Sequence, residues 1–198
     1  MSNFSRRTKI FTFFLALIIV GTIVAWFSSR ENGIPKEFTQ ARQQGALIAQ
    51  NIVGLSDDST NDLTRVDDFD KSGDYTDALT LTTNIITKNQ NLRDQAVSLS
   101  SQIEIMTRSL PNISSPEARQ DALNAISSRL ALISELMNYS NDLENLLTTL
   151  QDHFTGATIK PGDVQTIVNQ INTDVNAINN FNAQAQQSMT AFDALINK

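Results

Sequence analysis

Residues 164–196, VQTIVNQINTDVNAINNFNAQAQQSMTAFDALI, decide between a helical and a strand reading of this chain. Val164, Val168, Ile171, Val175, Ile178, Asn182, Ala185, Met189, Phe192 and Ile196 recur at alternating steps of four and three. Side chains on one face of a strand recur every second residue, whereas steps of three and four keep them on one face of an α-helix. No glycine or proline interrupts the stripe after Gly162, and Pro161 suits a first helical turn, where its missing N–H has no partner to lose. Aliphatic side chains at this spacing form a packing seam and not a cofactor box. Asn182 on the same stripe either fixes helix register as a polar seam residue or points sideways while Phe181 fills the core.

The preceding segment repeats the pattern. Leu123, Ile126, Leu130, Ile133, Leu136, Tyr139, Leu143, Leu146, Leu150 and Phe154 predict a second long helix over 116–154. Ser115 before Pro116 and Glu117 is a start signal, and Gly156 suits a left-handed C-terminal cap. A third helix is expected from Asp74 to Leu110, through Leu79, Ile86, Leu92, Ala96, Leu99, Ile103 and Met106, with Pro111 ending it. A shorter one is expected over 35–53, on Phe38, Ala41, Gly45, Ile48 and Ile52. The short connections 111–115 and 155–160 make consecutive helices antiparallel. The fold expected is all-α, an antiparallel bundle of three long helices plus one shorter helix.

Ahead of this bundle, Ile10 to Ser29 reads IFTFFLALIIVGTIVAWFSS and carries no charge. At about 1.5 Å per residue such a helix spans a hydrocarbon core roughly 30 Å thick. Ala25 is followed by Trp26 and Phe27, so no small-x-small cleavage site follows, and the segment reads as a retained signal-anchor. Arg6, Arg7 and Lys9 place the tail 1–9 in the cytoplasm by the positive-inside rule. The expected organisation is therefore a basic tail 1–9, a single transmembrane helix 10–29, a juxtamembrane hinge 30–34 around Gly33, and an extracytoplasmic bundle 35–198. This arrangement, one amino-terminal membrane helix before a long antiparallel bundle, is similar in architecture to the LemA family.

All twenty-one acidic residues follow Arg30, leaving the bundle more acidic than the chain's formal net charge of −6. Phosphate binding needs a basic face, so nucleic acid is not an expected partner. The absence of cysteine removes disulfides and thiol chemistry. His153 is the only histidine, which leaves no common Cys/His zinc set, and its place in a last helical turn suits interaction with terminal carbonyls. No Walker A, dinucleotide-glycine or nucleophile-elbow pattern occurs. No catalytic or cofactor-binding residue is assigned, and the chain is not read as an enzyme.

Residues 54–73 read as an acidic linker, with Asp57, Asp58, Asp62, Asp67, Asp68 and Asp70 against Arg65 and Lys71. At its end, Asp68, Asp70, Ser72 and Gly73 occupy positions one, three, five and six of a calcium loop. Position twelve should be a bidentate Glu and is Leu79, which leaves a candidate irregular Ca²⁺ site at Asp68, Asp70 and Asp74. Gly73-Asp74-Tyr75 followed by Ala78-Leu79 also resembles the turn into the second helix of a tetratricopeptide repeat. The functional expectation is a non-catalytic protein-binding or scaffolding module of the cell envelope, tethered to the membrane by 10–29. It would engage a protein partner or self-associate through its helical faces, with a ligand- or Ca²⁺-sensing bundle as the alternative.

Overall fold

The computed structural model describes residues 33–196 except residue 159; the tail 1–9, the anchor 10–29 and the first part of the hinge lie outside the described residues. Four long helices follow one another: α1 (Lys36–Ser72), α2 (Tyr75–Ser109), α3 (Pro116–Phe154) and α4 (Pro161–Ile196). A single 3₁₀ turn, Leu110–Asn112, follows α2. Among the described residues there is no strand, and no helix is long and apolar enough to cross a membrane.

The first helix corrects the expected boundary. There is no linker at 54–73 and no short helix ending near 53, because α1 runs unbroken for 37 residues. Its stripe of Phe38, Ala41, Gly45 and Ile52 continues through Ser56, Ser59, Leu63 and Val66, all buried. Two serines at core positions hid the continuation. Inside a helix the Ser59 hydroxyl donates to the Leu55 carbonyl at 2.7 Å, so a small polar side chain can be buried with its hydrogen bond satisfied. Gly54 faces solvent inside the helix with no special backbone angle, and there a glycine weakens a helix without ending it. The neighbouring aspartates are compensated along the surface, with Asp62 bonded to both Arg65 and Lys88, and Asp67 to Lys71.

Three tight reversals make the helices antiparallel. Gly73 adopts φ 78°, and the N–H groups of Gly73 and Asp74 return to the carbonyls of Asp70 and Phe69. Asp74 then caps α2 by accepting the Asp77 N–H at 3.3 Å. Ser115 accepts the Ala118 N–H at 3.1 Å and donates to Glu117, whose carboxyl its own backbone N–H and that hydroxyl hold below the usual range. Gly156, at φ 92°, terminates α3.

The most extensive interfaces are α3 on α4 and α1 on α2, with α2 on α3 joining the two hairpins. The core runs the length of the bundle through Leu63, Ile85, Leu92, Ile103, Leu136, Leu143, Ile171, Ile178 and Phe192. Two expected seams are rotated in part. At the start of α2 the buried positions are Ala78, Leu81 and Ile85, with Leu79 and Ile86 flanking them. In α3, Ala118, Ala122 and Ala125 line the core while Leu123 and Leu130 are 42% and 47% exposed. The face that packs there is the alanine face and not the most hydrophobic one.

Two glycine substitutions test the continuous α1. A Cβ at Gly54 meets nothing within 4 Å, so Gly54→Ala is expected to stabilise the bundle by about 0.5–1 kcal/mol. Gly73→Ala forces a side chain into left-handed backbone and is expected to cost about 1 kcal/mol or more. Urea denaturation followed by circular dichroism measures both, and a neutral or destabilising Gly54→Ala would argue for a break at that position.

Candidate functional site

The three carboxylates expected to hold Ca²⁺ lie near one another in sequence but are turned to separate tasks. Asp68 is on the outer face of α1, its side chain 71% exposed and 4.0 Å from Lys71 Nζ. Asp70 lies 3.1 Å from His153 Nε2 and so ties α1 to α3. Asp74 is occupied as the cap of α2. Among the described residues no three His, Asp or Glu side chains form a group able to hold a metal ion.

His153, expected to meet the last carbonyls of its helix, is turned to Asp70 and to two aromatic rings. Its ring stands edge-on to Tyr75 at 6.1 Å and tilted to Phe154 at 5.4 Å, and Tyr75 stacks on Phe154 at 5.9 Å. Such pairs contribute about 0.5–1.5 kcal/mol each beyond area burial. Asp70, Tyr75, His153 and Phe154 therefore bind the α1–α2 turn to the end of α3.

The opposite end of the bundle is closed by charge. Arg42 Nη1 and Nη2 donate to the two carboxylate oxygens of Asp193 at 2.6 Å each, joining α1 to α4 in a bidentate pair. Phe38 and Phe192, one turn or less away, pack at 5.4 Å. Arg129 of α3 shares this corner; burial first, and the nearby Arg42 second, lower its guanidinium to about 10.

Between the two ends the seams carry buried polar groups. Asn89 Nδ2 donates to the Ser140 carbonyl at 2.8 Å, pinning α2 to α3 at mid-height. Tyr139 is buried beside Ser56, and burial raises its phenol above the ordinary value. At the partly exposed rim, Arg93 crosses from α2 to Glu144 of α3 at 2.9 Å. On α4, Asp174 is only 2% exposed, with Gln170 donating to Oδ1 at 3.1 Å.

Asp174 had a legible signal. Ile171, Asp174 and Ile178 are spaced by three and four, so the acid occupies a seam position that a scan for apolar residues passes to Val175. Arg42 likewise follows Ala41 on the inner face of α1.

Set against known proteins, the chain matches no family model, no curated protein and no solved structure. The tetratricopeptide and LemA resemblances thus bring no family assignment. The short tetratricopeptide likeness does coincide with a real feature, the two-residue turn between α1 and α2.

Removing one partner of the Arg42–Asp193 pair leaves a guanidinium in a sparingly solvated corner. Asp193→Ala is expected to cost about 3 kcal/mol, whereas the double substitution Arg42→Met with Asp193→Leu should cost clearly less. Equal losses for the single and double variants in urea denaturation would show that the charges are not coupled.

Proposed function

We propose that this chain is a membrane-anchored protein whose helical bundle stands outside the cytoplasm and works by binding another protein rather than by catalysis. The anchor is the uncharged stretch 10–29, and the basic residues Arg6, Arg7 and Lys9 orient it. The polar side chains of the described bundle support this reading by the work they already do: they cap helices, bridge neighbouring helices and fix register. The acidic surface suits a protein partner better than a nucleic acid.

The observation that carries the proposal is the outer stripe of α3. Leu123 and Leu130 lie two turns apart on one face and are close to half exposed, while Val97 of the adjacent α2 is 60% exposed. Single exposed apolar residues are ordinary, but leucines repeated along one face, beside another helix that exposes valine, have the composition of an interface core. The exposed part of each leucine adds nothing to the bundle. Against the Ca²⁺-sensing alternative stands the dispersal of Asp68, Asp70 and Asp74 into separate contacts.

A photo-crosslinking residue at position 123 of the full-length chain in its native membrane tests this. One reproducible protein adduct is expected, either with a partner or with a second copy, and Leu130→Glu should abolish it without changing helix content. Adducts scattered over abundant neighbours, or an adduct indifferent to Leu130→Glu, would contradict the proposal.

A further inference from the structure

A poorly compensated acid lies at the α3–α4 seam. Asp174 is buried on the core face of α4; Gln170 serves Oδ1, and Oδ2 is enclosed with no donor within hydrogen-bond distance. From α3, the helix packed against this stretch, two further acids face it: Asp142, within hydrogen-bonding reach, and Glu135. Glu135 accepts from Asn138 at 3.3 Å. The cations at mid-height on the other helices are committed elsewhere: Arg65 and Lys88 to Asp62, Arg93 to Glu144. Among the described residues no cation is within ion-pair distance of Asp174, Asp142 or Glu135.

We propose that Asp142 and Asp174 form a proton-sharing carboxyl pair that fastens α3 to α4 while the proton is held and loosens that seam when the proton leaves. Two neighbouring carboxylates repel one another, and a single proton on Asp174 turns that repulsion into attraction, its O–H donated toward Asp142. The proton fills the enclosed oxygen's missing role, and Gln170 continues to donate to Oδ1. Burial raises the Asp174 carboxyl first; the Gln170 hydrogen bond opposes this, and Asp142 and Glu135 raise it further.

The sign of the pH dependence follows. A carboxyl that holds its proton more tightly folded than unfolded contributes stability that is fully present below the unfolded value of about 4 and is lost as pH rises through the folded value. This opposes ordinary acid destabilisation, in which paired carboxylates lose their partners. It places the sensitive window above the usual carboxylate range.

The test is urea denaturation of the full chain in mild detergent, compared between wild type, Asp174→Asn and Asp142→Asn at pH 5 to 8. Asparagine at 174 can accept from Gln170 and donate to Asp142 without a bound proton. Asp174→Asn should therefore be more stable than wild type at pH 8, and the advantage should shrink by about tenfold or more in the folding equilibrium constant on going to pH 5. Titration of the Asp174 carboxyl carbon by NMR gives a second reading and should show an apparent midpoint above the usual carboxylate range, lowered by Asp142→Asn. A wild-type to variant difference that does not change with pH, or an Asp174 carboxyl that titrates as an ordinary one, would overturn the proposal. So would a Ca²⁺-dependent gain at pH 8 that Asp174→Asn abolishes, since it would assign the site to a cation.

Discussion

The Arg42–Asp193 pair closes the bundle. Helices α1 and α2, α2 and α3, and α3 and α4 are held together by short connections as well as by packing, but α1 and α4 are 151 residues apart at this contact and have no such tether. A bidentate pair fixes both distance and orientation, and Phe38 against Phe192 supplies the apolar wall beside it. Without this closure two hairpins joined only through α2 and α3 could splay and expose the seam that Ile178, Met189 and Phe192 now fill. At the other end the Asp70–His153 contact and the Tyr75–Phe154 stack do a related task between α1, α2 and α3.

Polar groups inside the seams give specificity at some cost in stability. A purely aliphatic bundle of near-repeating heptads can slip by one repeat with little penalty, because every register buries similar residues. Buried Asn89 on the Ser140 carbonyl satisfies its donor in one register only. Asp174 differs from it, since its neighbours on α3 are acids and not complementary donors. The same interior therefore contains both a register lock and a seam whose strength depends on a proton.

How far the sequence discloses this architecture depends on what occupies the inner stripe. The α4 seam is legible because Val168, Ile171, Ile178, Met189 and Phe192 are both apolar and buried. The second half of α1 is not, because Ser56 and Ser59 stand where leucines would announce a helix and aspartates crowd the exposed face. In α3 the error runs the other way: leucines at 123 and 130 attract a seam assignment, but the face turned to the core carries Ala118, Ala122 and Ala125. Hydrophobic periodicity reports where apolar side chains recur, whereas packing is decided by shape as well as by transfer free energy. Asp68, Asp70 and Asp74 show the same limit, since loop-like spacing does not predict convergence once the chain through them is a helix and a tight turn.

The account depends most on α1 as a single helix spanning the bundle, because the Asp70–His153 and Asp62–Lys88 contacts exist only if residues 54–72 are helical and docked. Amide hydrogen exchange resolved along the chain addresses this directly. Protection at residues 56–70 comparable to that at 81–106 of α2 is the predicted result. Exchange at unstructured-chain rates over 56–70, with protection confined to 36–53, would contradict it.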